Sequence, residues 1–236
     1  MEPLSWNAVL KILVPVILGG LLSWIGPSIT DKIRNSREAE ANKKVIFKEL
    51  YELRYQFICA IHLIESNKGL FTRESLQWLK NNLTRYQGSG RYIKIIEPIE
   101  MMLKLDDPNI ELCNAAITTK PGSTPGIKKY FFPVLESRLS HLSGLESELQ
   151  NELLEIHIRM AAANQNVDPY FEYLKLTYNE SISEDNLLNL KSTIAEVVKI
   201  HHKSLKQIVD KINAIEGRFG SFGAPQSSTL EETHPA

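Results

Sequence analysis

The chain has 236 residues, of which 43% are hydrophobic and 23% charged, and its formal net charge at pH 7 is −1. This composition is typical of a globular protein, and the near-zero charge excludes recruitment of nucleic acid or acidic membrane by a global electrostatic field. The two cysteines are too few for a disulfide framework. The length allows one membrane segment and a domain of roughly 190 residues.

The N-terminal residues 8–27 predict a transmembrane helix. About 20 residues at 1.5 Å each cover about 30 Å, the hydrocarbon thickness of a bilayer. The only charged residue in this segment is Lys11, near one end, and Trp6 and Trp24 lie where interfacial aromatics are expected. A cleaved signal peptide and a buried core helix are the alternatives, but the apolar run has neither a basic start nor a good cleavage site. We therefore assign residues 1–27 to a membrane anchor.

The flanking charges predict the orientation of this anchor. Five basic residues follow it closely, namely Lys32, Arg34, Arg37, Lys43 and Lys44, whereas no lysine or arginine precedes Lys11. Positive residues stay on the cytoplasmic side of a membrane. We therefore expect a single-pass protein with a cytoplasmic C-terminal domain.

One face of the predicted span has an unusual composition. Lys11, Pro15, Gly19 and Ser23 recur every four residues and share an arc of about 120°. Gly19 and Ser23 form a small-xxx-small pair, which lets membrane helices approach closely. This pattern favours a helix–helix interface or a pore lining, although glycine and proline are also simply frequent in membrane helices.

Apolar spacing in the rest of the chain predicts helices, and the alternation typical of strands is nearly absent. A heptad-like stripe at 46–64 predicts a long helix over 28–66, which Asn67, Lys68 and Gly69 end. Thr72 is the expected N-cap of the next helix. A helix over 92–105 with a kink at Pro98 follows.

Two further long helices are predicted in the C-terminal half. One follows the stripe that runs through Leu135, Leu139, Leu142, Leu149, Leu153, Ile156 and Met160. The other runs from a capping box at Ser181 and Glu184 to Gly217. Asp107 and Asp168, each followed by proline, are expected to cap short helices. The sequence thus predicts an all-α protein: a transmembrane helix, an antiparallel helical bundle extending to residue 216, with 67–216 as its main part, and a disordered tail over 217–236.

Catalytic and metal-binding motifs are not found in the sequence. There is no HExxH, no GxSxG and no paired Glu-x-x-His motif, so we expect no enzyme, no metal and no cofactor. His201 lies on an apolar stripe and is expected to be a satisfied core histidine. The polar loop 118–126, followed by Lys128 and Lys129, resembles an anion cradle in composition but lacks P-loop spacing, so an exposed connector is favoured.

Residues 73–94 combine cations with aromatic side chains. Five basic residues accompany a single acidic residue, Glu74, and three aromatic residues lie among them. Oligonucleotide ligands need both kinds of group, because cations neutralise phosphates and rings stack on bases. The alternative is a basic outer helix face near anionic lipid headgroups. The candidate ligand-binding residues are Trp78, Lys80, Arg85, Arg91, Tyr92 and Lys94, with Tyr86 as a further aromatic nearby.

The layout of residues 8–216, a single N-terminal span, a positive-inside flank and a helical cytosolic bundle, resembles membrane effectors of bacterial anti-phage defence. Hailong-type effectors and the single-pass effectors of some CRISPR systems have this layout. The resemblance implies a homo-oligomer in the bacterial inner membrane, most simply a tetramer, which acts as a channel or disrupts the membrane under the control of an oligonucleotide. It also implies an operon-encoded partner protein. The alternative is a membrane-tethered helical adaptor that binds partner proteins.

Overall fold

The computed structural model describes the backbone of residues 6–86, 92–118 and 127–222, and within these ranges the side chains from residue 29 onward except that of Thr118. The described residues form helices and connecting segments and contain no strand, which confirms the all-α prediction. The helices are α1 (Trp6–Lys68), α2 (Arg73–Leu83), α3 (Ile93–Leu103), α4 (Asp107–Thr118), α5 (Pro133–Arg138), a 3₁₀ helix (Leu139–Gly144), α6 (Ser147–Gln165), α7 (Val167–Leu176) and α8 (Glu184–Phe219).

Helix α1 is the longest element. Its 63 residues span about 95 Å at 1.5 Å per residue. It continues without interruption past residue 27, where the sequence analysis placed the boundary between the anchor and the next helix. The side chains of the predicted span 8–27 lie outside the described residues. Where the structure does describe side chains, no helix is both long and apolar enough to cross a membrane.

The C-terminal half of α1 forms the centre of the bundle. The predicted stripe is confirmed, because all six of its residues are buried: Ile46, Leu50, Leu53, Phe57, Ala60 and Ile64. Helices α2, α4, α5 and α8 pack against α1. Arg54 contacts Glu216 and Glu65 contacts His202, so α1 and α8 run antiparallel. Helix α6 is also antiparallel to α8, because Arg218 contacts Glu148 at one end and His201 contacts Ala163 at the other.

The stripe over 135–160 does not form one long helix, and this prediction was wrong. It is divided among α5, the 3₁₀ helix and α6, with an extended residue, Leu145, before α6. Leu142 and Leu149 are both buried, so apolar spacing persists although the backbone turns between them. The turn lies close against α1: a Cβ added at Gly144 would be 3.1 Å from the Cβ of Ala39. Periodicity alone does not detect such a close approach.

The helix N-termini only partly follow the sequence prediction. Thr72 is confirmed as the N-cap of α2, since its hydroxyl accepts from the Ser75 amide at 3.1 Å. For α4, the side chain of Asp106 and not Asp107 accepts from an amide, that of Asn109. For α8, Ser183 and not Ser181 is the cap, so the capping box with Glu184 was wrong. In these three helices the capping side chain lies three residues before the amide that it accepts from, and neighbouring polar residues make that position hard to identify from the sequence.

Two further helix ends differ from the prediction. Asp168 lies inside the first turn of α7, whose N-cap position is Asn166. Gly217 does not end α8, which continues to Phe219. The chain leaves the helix at Gly220, whose φ of 101° is a backbone conformation that favours glycine.

Candidate functional site

Trp78, the central aromatic of the predicted ligand site, makes contacts within the protein. Its indole N–H donates a hydrogen bond to the carboxylate of Asp210 on α8 at 3.1 Å. The ammonium of Lys206 lies 5.0 Å from the centre of its ring. The ring also packs against the main core. Trp78 therefore joins α2 to α8, and its polar edge and one ring face are occupied.

Two basic residues of the segment 73–94, one of them in the predicted site, form ion pairs with residues beyond this segment. The Lys80 ammonium lies 2.8 Å from the Glu100 carboxylate on α3. Arg73 binds Asp107 at 2.7 Å and donates to the backbone carbonyls of Leu103 and Leu105, where α3 ends. The sequence count of five cations against one acid did not include Glu100 or Asp107, so the local positive charge is smaller than the sequence indicates.

Tyr86 is buried within an aromatic stack. Its ring lies 4.5 Å from that of Tyr51 and 4.3 Å from that of Tyr55, and its hydroxyl donates to Glu52 at 3.2 Å. Burial, followed by the charge of Glu52 and this hydrogen bond, raises the pKa of Tyr86. Tyr86 is therefore a core residue and offers no ring face to a base.

The remaining candidate residues differ in how far their side chains are exposed. Arg85 and Lys94 are exposed near the end of α2 and the start of α3, and Tyr92 is half-buried against the core. Arg91 lies outside the described residues, as do the side chains of the predicted transmembrane face, Lys11, Pro15, Gly19 and Ser23. Among the described candidates, Arg85 and Lys94 have the exposure that an anionic ligand requires.

The polar loop that resembles an anion cradle lies outside the described residues from 119 to 126. The two lysines after it both make contacts within the protein. The Lys128 ammonium lies 5.0 Å from the centre of the Tyr130 ring, and Lys129 forms an ion pair with Asp168 at 2.6 Å. Asn164 holds Tyr130 in place, because its side-chain amide accepts a hydrogen bond from the backbone N–H of Tyr130 and donates one to the C=O of Tyr130.

Arg54 is the centre of a buried polar cluster that the sequence analysis did not identify. Its side chain is fully buried, and its Nη1 donates to Glu216 at 2.5 Å and to Asn213 at 3.2 Å. The rings of Tyr51 and Phe222 lie 5.5 and 5.7 Å from the guanidinium carbon. Arg54 follows Leu50 by four residues, so its position on the buried face is the signal that could have revealed it.

A second polar cluster joins α1 to α8 near the C-terminal end of α1. The Glu65 carboxylate is buried and lies 2.9 Å from Nε2 of His202 and 2.7 Å from the Lys206 ammonium. Burial raises the pKa of Glu65, but the hydrogen bonds from His202 and Lys206 together outweigh it, so the pKa is lowered. The cluster is therefore a charged joint between two helices.

His201 is buried beside this joint, as predicted for a core histidine. Its Nδ1 donates to the carbonyl oxygen of Ala163 at 3.2 Å, whereas its Nε2 is buried without a hydrogen-bond partner among the described residues. Burial is the main reason that its pKa is lowered. The prediction of a fully satisfied ring is therefore correct for one nitrogen only.

The described residues contain no group of three or more His, Cys, Asp or Glu side chains placed to hold a metal ion. The polar clusters at Arg54 and Glu65 join helices, and the exposed cations Arg85 and Lys94 remain as the candidate anion contacts. Comparison of the chain with protein-family models, with curated proteins and with solved structures finds no match.

Proposed function

We propose that this protein is a membrane-anchored, self-associating effector whose helical bundle is held at the cytoplasmic face of a bacterial inner membrane. The observation that carries the proposal is the way α1 leaves the bundle. The side chains of residues 29–38, which we call the stalk, are all exposed. Ile29 and Ile33 are 53% and 49% exposed within it. The helix continues from the stalk to Trp6.

A helix in this position needs something to cover it. Isolated helices are marginally stable in water, because most helix stability in proteins comes from packing of an apolar face. A bilayer around 8–27 and neighbouring copies beside Ile29 and Ile33 supply that packing. Arg34 and Glu38 form an ion pair at 2.9 Å on the exposed stalk. Such a surface suits an aqueous segment between a membrane and a domain.

Control by an oligonucleotide is the second component of the proposal. Arg85 and Lys94 are exposed where α2 ends and α3 begins, and we place the phosphate contacts there together with Arg91. Because Trp78 and Tyr86 are held by internal contacts, base stacking falls to Tyr92. The function follows that of the resembled defence effectors: ligand binding to the bundle changes the arrangement of the spans, which depolarises or permeabilises the membrane.

The membrane part of the proposal is tested on the full-length protein in bacterial cells. We expect the protein to float with membranes in a density gradient. After fusion behind Ala236, we expect a reporter that works only in the cytoplasm to be active and one that works only in the periplasm to be inactive. Expression with the activating ligand should collapse the membrane potential, as measured with a potential-sensitive dye. A protein that remains in the soluble fraction, or a periplasmic C-terminus, would contradict the proposal.

The ligand part is tested separately with the purified full-length protein in nanodiscs. Replacing Arg85 and Arg91 together by glutamate should abolish binding of cyclic and linear oligonucleotides. The matched control replaces Lys129 and Lys175, which also lie on the bundle surface but away from α2 and α3. If the Arg85/Arg91 variant binds as tightly as the unchanged protein, the site is assigned incorrectly.

A membrane-tethered adaptor is the second candidate function. The observation that favours it is the engagement of Trp78, Lys80 and Tyr86 in contacts within the bundle, which reduces the surface left for an oligonucleotide. An adaptor needs the anchor but no close-packing arc in it. The adaptor is favoured if the protein floats with membranes and no ligand changes the membrane potential. Gly19→Leu should then float with membranes in the same way as the unchanged protein.

A further inference from the structure

A cleft with apolar walls lies between the C-terminal end of α1 and the middle of α8. Ile64, Leu70, Ala195 and Val198 form its walls, and its volume is about 390 Å³. Leu70 is 52% exposed although it lines the cleft. An open cleft of this kind leaves apolar surface in contact with water, which is the usual property of a site that binds another molecule.

Two lysines border the cleft, one on each of its helices. Lys68 borders it on α1, and Lys199 and His202 border it on α8. Between residues 191 and 206, α8 carries four lysines and one acidic residue, Glu196. Glu196 lies 3.6 Å from Lys199, but both side chains are more than half exposed, so solvent screens the pair. Lysines therefore outnumber acidic residues on this segment of α8, although the whole chain has a net charge of −1.

The buried acid near the cleft is paired with Lys206, one of these four lysines, and leaves the charges of the other three unpaired with it. Glu65 is already bound by His202 and Lys206, so its negative charge is matched within the joint between α1 and α8. Lys68 and Lys199 remain to face an incoming group. Complementary charge around an apolar centre sets the specificity and the association rate of many protein interfaces.

We propose that this cleft docks an amphipathic helix of a partner protein, with apolar side chains in the cleft and acidic side chains against Lys68 and Lys199. The cleft lies between two antiparallel helices, and a third helix laid along such a pair fills the groove with side chains at i, i+3, i+4 and i+7. Lys68 and Lys199 border the cleft on different helices, so an acidic helix can pair with both, whereas a small amphiphile carries one charged group.

The position of the cleft suits a cytosolic partner. Ile64 is 35 residues after Ile29 in the same helix, so the cleft lies about 50 Å from the start of the stalk. A partner docked there does not collide with the stalk or with neighbouring copies packed along it. This inference does not depend on the oligonucleotide proposal, since the cleft shares no residue with Arg85, Arg91 or Lys94.

The test uses two synthetic helical peptides and the full-length protein in nanodiscs. Both peptides have leucine at i, i+3, i+4 and i+7, and the remaining positions are mainly glutamate in one and lysine in the other. Fluorescence anisotropy should give a Kd at least tenfold lower for the acidic peptide than for the basic one. Equal binding of both peptides, or binding of neither, overturns the inference.

Two variants show whether binding occurs in the cleft. Ala195→Trp fills it from an exposed position, and the matched control Ala161→Trp changes an exposed alanine on α6. We expect Ala195→Trp to weaken binding of the acidic peptide at least tenfold and Ala161→Trp to leave it unchanged. Replacing Lys68 and Lys199 by glutamate should reverse the preference between the peptides. Decanoate binding to the cleft without any binding of the acidic peptide would instead assign the cleft to a small amphiphile and overturn the inference.

Discussion

The guanidinium of Arg54 lies fully buried between the rings of Tyr51 and Phe222, with Glu216 as its counter-charge. Removing one member of a buried ion pair is costly, because the remaining charge keeps its desolvation and loses its partner. Nε and Nη2 of Arg54 are also buried without hydrogen-bond partners among the described residues. The net contribution of Arg54 to the free energy of unfolding is therefore smaller than the summed strength of its contacts.

We expect Arg54→Met to lower the free energy of unfolding by about 3 kcal/mol, since Glu216 and Asn213 lose their donor. Urea unfolding followed by far-ultraviolet circular dichroism measures this change. Arg159→Met is the control, because Arg159 pairs with Glu155 on an exposed surface. That variant should lose less than about 1 kcal/mol. If the two substitutions lower the free energy of unfolding equally, the burial of the Arg54 ion pair does not add to its contribution to stability.

His201 should make stability depend on pH. Burial, together with the neighbouring His202, lowers its pKa below the ordinary 6.5, and burial likewise lowers the pKa of His62 against the opposing charge of Glu65. The unfolded chain therefore binds more protons than the folded one in this range. The stabilisation is complete above pH 6.5 and is lost as the pH falls below it, by at most about 1.4 kcal/mol per pH unit for each histidine.

The corresponding experiment compares unfolding of the unchanged protein and of His201→Asn at pH 7.5 and pH 5.5. Asparagine retains a donor for the Ala163 carbonyl but does not titrate, so the variant should lose less stability on acidification. His141→Asn is the control, because His141 is exposed. An unchanged pH dependence in His201→Asn would show that the pKa of this histidine is the same in the folded protein and in the unfolded chain.

At the scale of elements, the approach of the 3₁₀ helix to α1 depends on Gly144. A Cβ there would lie 3.1 Å from the Cβ of Ala39, closer than ordinary van der Waals contact. Gly217 offers the opposite case, since it lies inside α8 and an added Cβ would meet nothing within 4 Å. Gly144 is therefore required by close packing, whereas Gly217 only lowers the helix propensity of α8.

We expect Gly144→Ala to destabilise the protein by about 1 kcal/mol, because either the 3₁₀ helix or α1 must shift. Gly217→Ala should stabilise it by about 0.5–1 kcal/mol, because alanine restricts the unfolded chain and favours helix. Thermal unfolding of both variants measures the difference in sign. If Gly144→Ala also stabilises the protein, the contact with Ala39 does not determine where the chain turns.

At the scale of the whole molecule, the proposed assembly rests on the stalk and the span before it. Ile29 and Ile33 are exposed, and the predicted small-residue arc with Gly19 lies further towards the N-terminus of the same helix. Closed symmetric oligomers are the usual result of self-association. One span cannot enclose a pore, so the effector function requires more than one copy.

We expect the detergent-solubilised protein to have the mass of a tetramer. Gly19→Leu should reduce the mass to that of smaller species, because leucine prevents close approach of the helices. Gly20→Leu is the matched control, since it adds the same side chain about 100° away on the same helix. Native mass spectrometry measures all three proteins. A monomer at micromolar concentration in the unchanged protein would remove the channel function.

The sequence determined the helical class of the described residues and the buried face of α1. Period-3.6 spacing at 46–64 identifies that face because burial of apolar groups is the main driving force of folding. The cap at Thr72 was also predictable, since capping depends only on residues within one turn. These features are local, because each depends only on residues within a short stretch of the chain.

Tertiary structure decided the features that join distant residues. Arg54 and Glu216 are 162 residues apart, and Trp78 and Asp210 are 132 apart, so no spacing rule pairs them. Whether a cation or an aromatic ring is free for a ligand depends on these partners. The turn before α6 likewise depends on Ala39 of α1. Sequence patterns therefore identified the helices, whereas packing between them decided which side chains remain available for binding.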